Sequence, residues 1–234
     1  MLLGGSLGAA AVRYPLVGVV TAVVVVVVVV IGWKTDLSLS SLGVFDSTSD
    51  APPALGDDET RIIVEGGENE VPKRIRQKRE QYPRAVELQQ PTDFIDTDAF
   101  RLSEVVGRRV VLLEFWTFGC YNCQHTHPKL QRFWRQYADD GLLIVGVHYP
   151  EFDRERDPAN VRSYVDDADI TYPVVLDNDG GTWDAYDQRY WPARYLIDID
   201  GFVRYTHAGE GAYEETETRI KELLAERERV LTGE

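Results

Sequence analysis

Cys120 and Cys123 are the only cysteines in the 234-residue chain, and two residues separate them. On a helix that spacing puts two thiols one turn apart. One can then attack a disulfide, and the other can resolve the mixed disulfide by internal attack. With no further cysteine, no disulfide framework of the kind that staples small secreted domains can form. The pair must act together. Cys120 is the expected nucleophile and Cys123 the expected resolving thiol, with the Cys120–Cys123 disulfide as the redox group and no cofactor or metal beside it.

The surrounding pattern says where the pair must sit. Arg109 to Trp116 is a nearly continuous apolar run, as in a strand buried on both faces. After the cysteines, Leu130, Phe133, Trp134 and Tyr137 recur at helical spacing, and Gly141 follows as a helix stop. Leu142 to Val147 forms a second buried run. Strand, helix and strand make a βαβ unit with parallel strands. The first sulfur therefore lies at the carboxyl edge of the sheet and at a helix N-terminus, where a thiolate is favoured. Farther on, Asn160 to Val165 is predicted helical and Tyr172 to Leu176 extended. Arg194 to Ile199, Asp200-Gly201 and Phe202 to Thr206 predict a β-hairpin. Ile220, Leu223, Leu224, Val230 and Leu231 mark an amphipathic C-terminal helix.

Upstream the texture changes. Tyr14 to Trp33 carries no charge and includes eight consecutive valines, Val23 to Val30, between Arg13 and Lys34. As a helix rising about 1.5 Å per residue it would span roughly 30 Å, the thickness of bilayer hydrocarbon. Tyr14 and Trp33 stand where interfacial aromatics belong. The stretch exceeds a signal peptide's apolar core, and Trp33-Lys34-Thr35-Asp36 offers no small-x-small cleavage site. Residues 1–34 are thus expected to be a single-pass anchor lying in a lipid bilayer through residues 14–33. Arg13 and the α-amino group oppose Lys34, so charge alone leaves the orientation tied. Residues 35–90 are expected to be an acidic and polar tether, and 91–234 the folded domain. Within the tether, residues 73–84 carry a local charge of +5, assigned to a solvated helix face in preference to a docking patch.

The formal charge is −14, which opposes nonspecific binding to nucleic acid. Only five basic residues are lysines, Lys34, Lys73, Lys78, Lys129 and Lys221, against 39 acidic ones. That balance resembles proteins adapted to concentrated salt, where a dense carboxylate surface holds water and repels other chains.

Four segments together carry a family resemblance over about residues 92 to 231. They are Leu113-Glu114-Phe115-Trp116-Thr117-Phe118-Gly119-Cys120-Tyr121-Asn122-Cys123, Gly146-Val147-His148-Tyr149-Pro150-Glu151-Phe152, Tyr172-Pro173-Val174-Val175-Leu176-Asp177-Asn178-Asp179, and Tyr190-Trp191-Pro192-Ala193-Arg194-Tyr195-Leu196-Ile197-Asp198. The chain resembles the thioredoxins, and more narrowly the extracytoplasmic TlpA-like group and the C-terminal domain of DipZ-type proteins. A bare CxxC is weak evidence, but the ordered set is specific. The resemblance implies a three-layer α/β/α sandwich with a mixed sheet and a thiol-disulfide oxidoreductase. It also implies protein thiol or disulfide clients outside the cytoplasm, a membrane electron donor, and reductive work such as keeping apocytochrome c thiols reduced.

The resemblance also assigns roles. Pro128 matches the proline that kinks the active-site helix, and Pro192 matches a cis proline that offers the backbone of the preceding residue, Trp191, to a client's extended chain. With Trp116 and Tyr121, these two residues are the expected client-binding groups. Glu114 matches a carboxylate beneath the cysteines. Flanked by Leu113 and Phe115, it would be desolvated and suited to shuttling the proton of Cys123. The chain departs from the family pattern in having Gly119 before the first cysteine and Tyr121-Asn122 between the thiols, which leaves reduction potential and partner choice open.

Other chemistries compete for the same residues. His125 and His127 follow closely enough to imagine a metal site with the thiols, yet two positions apart on a helix they face different sides. Thr117, three residues before Cys120, matches a peroxidase motif, though Leu113 stands where that motif has proline. A non-enzymatic tethered interaction module with a structural disulfide is the third alternative.

Overall fold

The computed structural model describes residues 71–233. The anchor at residues 14–33 and the tether from 35 to 70 lie outside the described residues. Among the described residues no helix is long and apolar enough to cross a membrane.

Six strands form one sheet: β1 (Asp93–Ile95), β2 (Val110–Trp116), β3 (Leu142–His148), β4 (Val174–Leu176), β5 (Ala193–Ile197) and β6 (Val203–Ala208), in the spatial order β1-β4-β3-β2-β5-β6. β2, β3 and β4 run parallel, while β1, β5 and β6 pair antiparallel with their neighbours, so the sheet is mixed. Among the described residues six α-helices accompany it: α1 (Lys73–Arg79), α2 (Leu102–Val105), α3 (Tyr121–Tyr137), α4 (Pro158–Asp167), α5 (Gly181–Ala185) and α6 (Tyr213–Thr232). The hairpin, the βαβ unit and the C-terminal helix all occur where the sequence pattern puts them. β1, α2 and α5, of three to five residues, complete no amphipathic repeat and escape sequence periodicity, whereas the equally short β4 is marked by its apolar run Val174–Leu176.

The alternation of β2 divides the core into two. Val110, Leu112 and Trp116 pack with Leu130 and Phe133 of α3, Val161 and Val165 of α4, and Ile220 and Leu223 of α6. Val111, Leu113 and Phe115 pack on the other face with Leu102 of α2, Trp183 of α5 and Ala85, Val86 and Leu88. Each such fully buried side chain stabilises the fold by about 1.5–3 kcal/mol. Period-two geometry puts Glu114 on the α3 face, between Leu112 and Trp116.

Residues 71–90 depart from the tether expected of them. Ala85 and Val86 are fully buried, and Ile75 packs with Val71 and Phe202. The basic segment faces carboxylates, not solvent. Lys78 Nζ lies 2.7 Å from both Asp198 and Asp200 and also contacts Glu226. Arg74 forks onto Asp200 at 3.1 and 2.8 Å. Arg204 completes the cluster at 2.9 Å from Asp198 and 3.0 Å from Glu226. The physical reason is the burial of Asp198 and Asp200 in the β5–β6 turn, since buried carboxylates require paired cations. Burial pushes the Asp200 carboxyl up, but the hydrogen bonds from Arg74 and Lys78 together hold it below the ordinary range. Partners more than 100 positions apart leave no local signal in the sequence.

Candidate active site

α3 begins at the thiols. Cys120 is its N-cap, in extended conformation, and Cys120 Sγ accepts a hydrogen bond from the Cys123 amide at 3.3 Å. A sulfur in that position receives both a free amide and the positive end of a 17-residue helix. Both cysteines are free thiols; Cys120 is partly exposed and Cys123 buried. Burial, followed by the hydrogen bond with Cys120 and the nearby Glu114 charge, pushes the Cys123 thiol far up. The two sulfurs therefore differ in the sense that exchange chemistry requires: one is accessible and amide-bonded, the other shielded and hard to ionise.

Glu114 lies fully buried beneath them. Its Oε2 accepts from the Tyr172 hydroxyl at 3.2 Å, and that hydroxyl is 3.1 Å from His127 Nδ1. His127 Nδ1 is itself 3.7 Å from Glu114 Oε2. Glu114 Oε1 and His127 Nε2 have no protein hydrogen-bond partner. Across the β2–β5 pair, Arg194 is the register partner of Glu114 and is equally buried. Arg194 Nη2 donates to the Gly211 carbonyl at 2.5 Å, leaving Nε and Nη1 without protein partners. Burial lowers the Arg194 pKa, against the opposing pull of Glu114. Sequence reading missed Arg194, Tyr172 and His127 as neighbours of Glu114. Only Arg194, between Ala193 and Tyr195 in an otherwise apolar run, carries a local signal of the kind Glu114 shows; Tyr172 and His127, each between a threonine and a proline, carry none.

Pro192 follows a cis peptide bond from Trp191. The Trp191 ring is stacked on Tyr149 at 5.9 Å and tilted against Trp183 at 4.6 Å, and Tyr190 beside it is exposed. Tyr121 is also exposed, its ring edge-on to His125 at 4.2 Å. Trp116 corrects an expectation. It is fully buried, its ring packed 4.6 Å from His127, 4.8 Å from His148 and 5.6 Å from Tyr164, so it cannot touch a client. A Trp at the end of a central strand fills the core instead of reaching the surface.

The residues of the competing readings separate. His125 is half exposed and 3.6 Å from Glu210, whereas His127 is buried on the opposite side of α3. They do not converge on the thiols. The Thr117 hydroxyl donates to Glu155 Oε2 at 2.5 Å and so turns to the 149–156 segment. Among the described residues, the carboxylates Asp198, Asp200 and Glu226 lie close enough together to ligate a cation, and Lys78 and Arg204 already lie between them.

A family model described as AhpC/TSA matches residues 84–206. Protein DipZ of Mycobacterium tuberculosis is 46% identical over 116 residues, half of this chain but only 17% of DipZ. Thiol-disulfide oxidoreductase YkuV of Bacillus subtilis is 32% identical over 125 residues, 53% of this chain and 84% of YkuV. The solved structure of a thioredoxin-like protein in its oxidised form superposes with a TM-score of 0.53 at 28% identity, over 59% of this chain and 97% of that one. The α/β architecture with its mixed sheet is thioredoxin-like.

Proposed function

This chain belongs to the AhpC/TSA family, and on that premise we propose that it is a thiol-disulfide oxidoreductase working on protein clients. The observation that carries the reading is the asymmetry of the pair, an amide-bonded Cys120 at a helix N-terminus and a buried Cys123 above a buried Glu114. In the reductive direction, Cys120 as thiolate attacks one sulfur of a client disulfide. A Cys120–client mixed disulfide forms and the client's other sulfur leaves as a thiolate. Glu114 then takes the Cys123 proton, Cys123 attacks Cys120 Sγ, and the second client sulfur departs. The client gains two electrons, and the pair is left as the Cys120–Cys123 disulfide. Tyr172 and His127 hold Glu114 in place for that transfer. The backbone beside Pro192, with Trp191 and Tyr121, forms the client-docking edge. The test is reduction of insulin disulfides with dithiothreitol as the electron source: turbidity should develop well ahead of a protein-free control. Development at the control rate would sink the reading.

We propose further that the chain sits at a membrane, on the strength of the uncharged apolar stretch from Tyr14 to Trp33. The anchor at 14–33 would hold the domain outside the cytoplasm near a membrane electron donor, and apocytochrome c thiols are a fitting client class. Labelling of Cys120 in intact cells by a membrane-impermeant maleimide is the check. Protection of that thiol would reverse the orientation.

A further inference from the structure

Glu155, another fully buried carboxylate, lies behind the loop that carries the nucleophile, and the mechanism above does not use it. It sits in the 3₁₀ turn Asp153–Arg156, and its Oε2 collects three donors. These are the Thr117 hydroxyl at 2.5 Å, the Glu151 amide at 2.7 Å and the Phe152 amide at 3.2 Å. Two donors belong to the segment after β3, and the third belongs to the loop between β2 and Cys120. A single oxygen thus ties the loop before Cys120 to the segment after β3.

Gly119, the residue immediately before Cys120, is shaped to this carboxylate. A Cβ there would collide with Glu155 Oε1 and come within 3.5 Å of the Phe152 ring. The absence of a side chain at 119 is what admits Glu155 to this depth. His148 closes the arrangement, its Nε2 3.5 Å from the Thr117 hydroxyl and its ring stacked 5.8 Å from Phe118. All four residues from Thr117 to Cys120 are then constrained: Thr117 by Glu155, Phe118 by His148, Gly119 by contact, and the Cys120 amide by the Thr117 carbonyl at 3.2 Å.

We propose that Glu155 is a positioning residue for Cys120, clamping the Thr117–Gly119 loop to the 149–156 segment so that the nucleophilic sulfur is held at the N-terminus of α3. The proposal rests on the oxidoreductase reading for its purpose, but its geometry can be tested separately. Glu155 touches no reacting atom, so its loss should lower turnover without weakening client binding. Buried acceptors that lose their role leave donors unsatisfied, and the loop would relax toward water.

The variants are Glu155→Ala, Glu155→Gln, which keeps an acceptor oxygen of the same shape, and Thr117→Val, which removes the loop's donor. In a Cys123→Ser background, alkylation of Cys120 by iodoacetamide is followed across pH 5 to 9, with circular dichroism as the check on folding. Glu155→Ala should change the Cys120 alkylation rate at neutral pH by about tenfold, equivalent to about one unit along the pH axis. Glu155→Gln should restore most of that change. In the intact pair, Glu155→Ala should lower kcat for insulin reduction by about tenfold with KM within about twofold. Thr117→Val should act in the same direction, and the double variant should be no worse than Glu155→Ala alone, since the two groups share one bond. Should Glu155→Ala fail to fold, the Thr117→Val and Glu155→Gln profiles decide. A folded Glu155→Ala with a wild-type profile, or losses that add in the double variant, would overturn the clamp. Because alkylation requires no client, a protein inactive on insulin would still report on the clamp, which separates its failure from failure of the oxidoreductase reading.

Discussion

Two clusters of buried charge occupy opposite ends of the β2–β5 pair. Near the start of β2, where Val111 pairs with Ile197, lie Asp198, Asp200 and Glu226 with Lys78, Arg74 and Arg204. Near its end, where Phe115 pairs with Ala193, lie Glu114, Arg194, Tyr172 and His127. The first cluster is saturated: every carboxylate has at least two partners. The second is open, with Glu114 Oε1, His127 Nε2 and two nitrogens of Arg194 lacking protein partners. Saturation suits a cluster whose work is to hold residues 71–84 against the domain. An open cluster suits a site whose members must change protonation.

The largest effect is expected at the thiols: Cys120→Ser should reduce insulin reduction to the uncatalysed rate, and Cys123→Ser should accumulate a mixed disulfide visible on non-reducing gels. Next comes Glu114→Gln, which should slow resolution of that mixed disulfide about 100-fold at neutral pH, the range for a lost general base. Its thermal midpoint should not fall, because an incompletely paired buried charge contributes little net stability. Unchanged release rates from pH 6 to 9 would remove the proton-transfer role.

The saturated cluster should behave in reverse. Lys78→Met leaves three carboxylates with fewer cations and is expected to destabilise by about 2 kcal/mol, below the range for a fully buried pair because this one is partly exposed. For a domain of this size that is a drop of about 4–8 °C in Tm. Its exchange kinetics should stay within twofold of wild type, and a large kinetic loss would erase the distinction between the clusters.

The smallest effect concerns His148. Burial lowers its pKa to about 4 from an ordinary 6.5, despite the opposing influence of Glu155. The folded state therefore binds fewer protons than the unfolded state between those values. Stability from this group is present above about pH 6.5 and is lost as pH falls toward 4. His148→Phe should flatten the Tm-versus-pH curve in that window, and an unchanged slope would assign the acid sensitivity elsewhere.

Much of the catalytic half was legible locally. The apolar run of β2, the helical spacing after Cys123 and the Asp200-Gly201 turn are each short-range patterns, and Gly201 adopts the φ of +82° that such a turn demands. The Trp191-Pro192 bond and the depth of Glu114 followed from the resemblance. Trp116 lies in the core and not at the client edge, because alternation along a strand buried on both faces does not say which large side chains reach a surface. The basic stretch at 73–84 was misplaced because its charge pattern specifies cations without specifying their partners.

Spacing and periodicity alone place a thiol pair one turn apart at the start of a helix that follows a buried strand, since both are properties of neighbours along the chain. Tertiary structure alone decided what surrounds that pair. Arg194 comes to Glu114 through antiparallel register, Tyr172 through the pairing of β3 with β4, and Glu155 through the space left by Gly119. These are contacts between segments 36 to 80 residues apart, fixed by how the sheet closes and not by any pattern a local window contains.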